Sequence, residues 1–310
     1  LFWLIAMGAG TAAIVWGAEK FAEHLADASK RLGVTAFALA VLLAGAEPEE
    51  LATVVTASAR GVDGVAFGDV IGANAAIVTI ALGVGAWIVT IPFGRSIQMY
   101  GVGGLIAGLV ATLMMWDGAL GRSEGAILVG GYIVFVAAIW LGERRPPSLG
   151  EAGELDEEVD AEGRISTDLG WVLAGLLALT VGSIVLVEGV RQITSIEESQ
   201  TLLGLTVVGF ATAFELVVLA FSASRHGVTE AVIAGVIGSY AYNMTMSLGV
   251  GALVAPIAIS DAALLHAPLI AMLALLAVAI VIGKRNNSLD RRDAYVLLAG
   301  YPVFVVVSLL

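Results

Sequence analysis

GAEPEELATVVTASARGVDGVAFGDVIGANAAIVTIALGVGA, Gly45 to Ala86, occurs a second time in altered form as FATAFELVVLAFSASRHGVTEAVIAGVIGSYAYNMTMSLGVGA, Phe210 to Ala252. Moved forward by 166 positions, Val70–Ala86 falls on Val236–Ala252 with ten of 17 residues identical, including Gly72/Gly238, Thr79/Thr245 and the LGVGA ending. Upstream, an offset of 165 pairs Glu50-Leu51 with Glu215-Leu216 and Arg60 with Arg225, so one residue is inserted in the loop between. Each copy holds a carboxylate within an apolar segment, a short polar turn, and a glycine-rich apolar segment. A repeat on this scale dictates the architecture.

The rest of the chain is equally apolar. Of 310 residues 59% are hydrophobic and only 14% charged, and the mean hydropathy is +0.95. Apolar runs of roughly 20 residues recur throughout, each long enough to cross a bilayer. The expected fold class is an all-α membrane protein with the lipid bilayer as its solvent. There is no cysteine, which excludes disulfides and thiolate metal sites. A net charge of −12 offers no surface for nucleic acid. The first apolar run lacks a basic leader and reads as a span, not a cleavable signal.

Ten spans are expected, at 2–24, 34–59, 65–91, 97–116, 124–142, 168–192, 201–224, 230–256, 263–283 and 293–310. Residues 143–167, PPSLGEAGELDEEVDAEGRIST with its flanks, form an acidic and nearly apolar-free linker that should be solvated. It separates a first five-helix half, 1–142, from a second, 168–310. With loops alternating sides, Arg60, Arg122 and Arg191 fall on one side and the remaining twelve of 15 lysines and arginines on the other. That bias places the linker in the cytoplasm and both termini outside, in the plasma membrane. Five spans per half is an odd number, so the halves enter from opposite sides and the repeat is inverted.

Glu50 and Glu215 lie well inside apolar segments, where an ionisable group is costly and by default functional. Glu47, three residues before Glu50, shares its helical face, about 60° away. Glu49 is turned about 100° from Glu50 and is expected to face elsewhere, toward another helix or a water-filled cavity. Pro48 has no amide hydrogen and clashes with the preceding turn, so the helix should unwind at Ala44–Glu47 and free carbonyl oxygens. In the second copy Gly209 loosens the backbone and Thr212 adds a hydroxyl on the face of Glu215. Asn243, Ser239, Asn74 and Asp69 offer further oxygens, the donors that a hard cation such as calcium takes. Gly83/Gly85 and Gly249/Gly251 are read as helix-packing positions. His24, His226 and His266 make no metal-ligand spacing. There is no phosphate loop, so ion gradients would drive transport; no enzyme activity, resident cofactor or obligate protein partner is expected. A channel is the reading from another class, disfavoured by buried carboxylates in both repeats; a structural or sensory protein is a third.

These residues resemble the sodium/calcium exchanger (cation/calcium antiporter) superfamily, whose members have two inverted five-helix halves with a GTSLPEL-type motif followed by GNxIGSN. The matching stretches are GLTVVGFATAFEL, Gly204 to Leu216, with GVIGSYAYN, Gly235 to Asn243, and GAEPEEL, Gly45 to Leu51, with GDVIGANAAI, Gly68 to Ile77. The resemblance implies that Glu50 and Glu215 are the central cation-binding glutamates, that Thr212 and Ser239 contact sodium, and that Asn243 replaces an acidic or amide ligand. Ala46 and Glu47 stand where the first motif has Thr and Ser, Ala211 replaces the second Thr, Phe214 the second Pro, Ala73 a Ser, and Ile77 an Asn. The candidate metal set is therefore Glu50, Glu215, Glu47, Asn243, Thr212, Ser239, Ala46, Ala211 and Asp69. The implied activity is sodium/calcium antiport by alternating access, with calcium and sodium as transported partners. The alternative is a cation/proton antiporter, because three clustered glutamates repel one another and protons could replace sodium.

Overall fold

The computed structural model describes residues 2–31, 46–143, 165–225, 227 and 229–310. All of the acidic linker but its ends lies outside them, as do 34–45 of the expected second span and His226. Among the described residues the regular structure is helical apart from four two-residue strands.

The first half opens with α1 (Phe2–Arg31), longer than the expected 2–24. α2 (Pro48–Ala59) and α3 (Asp63–Ala76) follow, and α3 passes through a π-helical turn, Ile77–Ala81, into α4 (Leu82–Ile88). Next come β1 (Ile91–Pro92), α5 (Arg95–Met114), β2 (Ala119–Leu120) and α6 (Arg122–Glu143). The second half repeats this order. α7 (Ile165–Ile193) precedes α8 (Glu197–Leu203), a π turn at Gly204–Val208, α9 (Gly209–Thr212) and α10 (Phe214–Arg225). α11 (Thr229–Tyr242) runs through a π turn, Asn243–Ser247, into α12 (Leu248–Val254). β3 (Ile257–Ala258), α13 (Ala263–Asn286), β4 (Ser288–Leu289) and α14 (Arg291–Ser308) complete the order.

The offset of 166 read in the sequence is carried into geometry. It superposes the π turns Ile77–Ala81 and Asn243–Ser247, then α4 on α12 and β1 on β3. These two π turns also share a local hydrogen bond. The Thr79 hydroxyl donates to the Ala75 carbonyl and the Thr245 hydroxyl to the Ala241 carbonyl, both at 2.5 Å. The hydroxyl serves the carbonyl four residues back, so the wider turn leaves no buried acceptor unmet.

The halves interlock at both ends. β1 pairs antiparallel with β4 (Ile91↔Leu289), and β2 with β3 (Ala119↔Ala258), so each pairing joins a loop of one half to a loop of the other. Among the described residues seven helices are long and apolar enough to cross a membrane. One of them, Asp63–Ile88, has 94% of its apolar window buried inside the protein, against 28% for Arg122–Leu141. The α3–α4 segment is therefore the axis of the bundle, and α6 presents its side chains outward.

Candidate functional site

The site grows from one helix start. Pro48 occupies the first helical position of α2, where its missing amide hydrogen would have had no partner. The break expected at Ala44–Glu47 is visible in its described part: Ala46 and Glu47 are not helical, and Glu47 is the N-cap with φ −122° and ψ 82°. Glu47 thus reaches the site from the helix end and not, as expected, from a helical face shared with Glu50. Glu49 does not face elsewhere either. One carboxylate oxygen from each of Glu47, Glu49 and Glu50 lies within 4.8 Å of the others. Side chains of a first turn lean back past the helix end, so neighbours turned 100° apart still converge there.

All three are buried, at 4%, 2% and 0% exposure. Among the described residues no lysine or arginine pairs with them. Among the described residues, both Glu50 oxygens, Glu49 Oε2 and Thr53 Oγ1 have no hydrogen-bond partner. The Ser239 hydroxyl of α11 donates to Glu47 Oε1, which draws the second half into the cluster. The positive end of the α2 dipole stabilises negative charge here, but by far less than the cost of three buried carboxylates. The arrangement requires positive charge, as a cation or as protons.

The remaining candidates lie around this cluster. Asp69 of α3 is fully buried and accepts a 2.9 Å bond from the Thr212 hydroxyl of α9, while its Oδ2 meets no partner among the described residues. Close backbone packing produces that contact. A Cβ on Gly68 would lie 2.7 Å from the Leu205 amide nitrogen, and one on Gly209 2.7 Å from the Asp69 carbonyl oxygen. Gly209 is thus needed for close approach; the loosening expected of it occurs in the preceding π turn and at Ala213, a single non-helical residue. Glu215 is half-buried in the first turn of α10. Asn243 Nδ2 donates to Asn74 Oδ1 at 3.3 Å, and Ser247 to Asn243 Oδ1 at 3.4 Å, so these amides hold α3 against the Asn243–Ser247 π turn. Ala46 is half-buried beside the cluster. Ala211 instead lines an apolar groove with Leu4, Met7, Phe210 and Tyr301.

The helices also correct the pairing of the acids. A Cβ on Gly85 would lie 3.1 Å from Ser224 Oγ, and one on Gly251 3.1 Å from Ser58 Oγ. An offset of 166 converts one contact into the other. It also relates the turn glycines Gly61 (φ 63°) and Gly227 (φ 78°). α2 and α10 run without interruption from Glu49 to Ser58 and from Glu215 to Ser224. The counterpart of Glu215 is therefore Glu49, and that of Glu50 is Leu216. The sequence carried this signal in the Pro48-Glu49 dipeptide, which matches the Pro-Glu of the motif.

Comparison with known proteins places this geometry. The sodium/calcium exchanger protein family matches residues 2–141 and 167–310. The chain belongs to that family. CaxA of Alkalimonas amylolytica is 25% identical over 304 residues, 94% of each chain. The sodium/calcium exchanger MaX1 of Methanosarcina acetivorans is 24% identical over 341 residues, 96% of each. The solved sodium-calcium exchanger NCX_Mj, from crystals soaked with sodium and calcium, has the same fold, with a TM-score of 0.64 at 18% identity over 99% of this chain and 98% of that one. As a member of this exchanger family the chain is a multi-pass membrane protein.

Proposed function

We propose that this exchanger-family chain is a secondary cation antiporter that moves calcium against sodium by alternating access. One observation carries the reading: three buried carboxylates converge within 4.8 Å at a helix start, with no basic partner among the described residues. A cation is the group that such a cluster stabilises, and a dense set of hard oxygens suits calcium. Family membership and the antiporter and exchanger names of its relatives support the same class.

The ten-span, inverted-repeat reading has its own support. Gly10 meets Gly182 and Gly17 meets Gly175 where α1 crosses α7. As the residue number rises along one helix it falls along the other, so these corresponding helices run antiparallel, as inversion requires. Exchange then proceeds by closing one access path before opening the other. A cation-filled or protonated centre can pass between states, and an empty charged one cannot.

A proton-coupled exchange is favoured by one specific feature. By the helix pairing, Glu47 and Glu50 have Ala213 and Leu216 as counterparts, so the first half holds two carboxylates in excess of the symmetric pair Glu49/Glu215. The experiment is calcium uptake into proteoliposomes. Uptake should follow an outward sodium gradient and cease when that gradient is abolished. Uptake that ignores sodium and follows an imposed pH gradient transfers the coupling to protons, and uptake that needs no counter-ion removes antiport altogether.

A further inference from the structure

The two ends of the bundle are not closed alike. α1 and α7 are twins at an offset of 165, which takes Gly10 to Gly175 and Gly17 to Gly182. That offset exchanges their two glycine contacts, Gly10–Gly182 and Gly17–Gly175, so the crossing itself is symmetric. The strand pairs are symmetric too, one at each end. The asymmetry lies in what the crossing leans on. α2 packs along α7, whereas among the described residues α10, the twin of α2, makes no comparable contact with α1.

The charged side chains follow that difference. The offset of 165 makes Glu188 of α7 the twin of Glu23 of α1. Glu188 reaches across to the end of α2, where Arg60 binds its Oε2 at 3.1 Å. Arg191 at 3.4 Å and Gln192 at 2.8 Å hold the same carboxylate from its own helix. Glu23 stays on its own helix, bound to Lys20 at 2.8 Å, and is 53% exposed against 27% for Glu188. Lys20 has Val185 as its twin, so the second end alone has this resting partner. The end of α10 carries Arg225, one residue before His226, the position that the offset of 166 pairs with Arg60. The Arg225 guanidinium rests over Phe221 of its own helix, 5.6 Å from the ring centroid. Among the described residues no carboxylate pairs with it.

We propose that Arg60 and Glu188 form a latch that closes the β2–β3 end of the bundle, and that Glu23 and Arg225 form its alternate at the β1–β4 end, made only when the first is broken. This rests on the reading of the chain as an alternating-access antiporter and names the contacts that hold each closed end. Both partners of the alternate pair are present, exposed and parked on their own helices. A partly exposed ion pair is weak, which suits a contact that must break in every cycle.

The test places two cysteines at each pair, since the chain has none of its own, and joins them in proteoliposomes with a reducible bifunctional methanethiosulfonate. Two long side chains separate the backbones, so a linker and not a direct disulfide spans them. Arg60→Cys with Glu188→Cys, and Glu23→Cys with Arg225→Cys, should both form the link. Either link should lower calcium uptake by about tenfold or more, because one locked state cannot complete a cycle, and reduction should restore it. With all four cysteines in one chain, no molecule should carry both links. Glu188→Gln, added to Glu23→Cys with Arg225→Cys, should raise the link yield at limiting reagent by about twofold or more, the weight that one exposed ion pair gives to a two-state balance. The proposal is overturned if the second pair gives no link, if molecules with both links accumulate, if linked protein transports at the unlinked rate, or if Glu188→Gln leaves the yield unchanged. Should the unlinked variants take up calcium without any counter-ion, the antiport reading fails, while the link yields still decide whether the two pairs alternate.

Discussion

Glu49 and Glu50 are adjacent, equally buried and both part of the acidic cluster, yet they differ across the internal repeat. Glu49 has the carboxylate Glu215 as its counterpart and Glu50 has Leu216. The paired acids are the ones able to hold a cation from both halves as access alternates. Glu49→Gln and Glu215→Gln should each lower calcium uptake by about a hundredfold or more, because one charge at about 4 Å is worth roughly 4 kcal/mol at an effective dielectric near 20. Glu50→Gln should retain measurable transport. Initial uptake rates in proteoliposomes give the ranking; a silent Glu50→Gln beside an active Glu49→Gln would restore the pairing of Glu50 with Glu215. That pairing follows from matching Glu-Leu to Glu-Leu, whereas matching Pro48-Glu49 to the Pro-Glu of the motif favours Glu49, so an acid doublet leaves two registers open in sequence. The uninterrupted helices down to Ser58 and Ser224 decide between them. The convergence of Glu49 was equally hidden, since a 100° step separates side chains along a helix but not at its first turn.

Elements show why some of the fold was legible and some not. Pro48 marks the break before α2, since proline is excluded from a helix interior and fits the first helical position, where its missing amide hydrogen has no partner. The π turns carry no such mark: Thr79 and Thr245 are ordinary residues until their hydroxyls take up the carbonyls four back. Glycines lie between these cases. Gly83, Gly85, Gly249 and Gly251 read as packing positions, and Gly249 does abut the Gly125 carbonyl. The tighter α1–α7 crossing went unremarked because its glycines lie seven apart on each helix. A Cβ on Gly182 would sit 2.6 Å from the Gly10 carbonyl oxygen, whereas one on Gly8 would meet nothing within 4 Å. Gly182→Val should therefore destabilise by about 1–3 kcal/mol through overpacking, read as a fall in melting temperature. Gly8→Val on α1 should leave that temperature unchanged. Equal behaviour of the two would mean that α1 and α7 do not cross at these glycines.

At the scale of the whole molecule, strand pairing fixes which loops share a membrane face. β2 with β3 gathers the 119–120 and 257–258 loops at one end, and β1 with β4 gathers 91–92 and 288–289 at the other. The three basic residues assigned by alternation to the sparse side lie together at the first end. Arg122 donates to the Leu253 carbonyl at 3.2 Å, close before β3. Arg60 pairs with Glu188 at 3.1 Å, and Arg191 with the same carboxylate at 3.4 Å. A cavity of 390 Å³ there joins Asp63, Arg191, Glu197 and Ala258. The sequence-based sidedness thus coincides with a geometric end of the bundle, and the positive-inside bias predicts that this end faces outward. Because the chain has no cysteine, one introduced thiol reports on each side without background. Ser260→Cys, at the exposed turn after β3, should react in intact cells with a membrane-impermeant maleimide. Gly153→Cys, in the acidic linker, should react only after permeabilisation. The reverse pattern would invert the protein in its membrane, and labelling of both in intact cells would mean that the number of crossings between them is even, which breaks the five-span half.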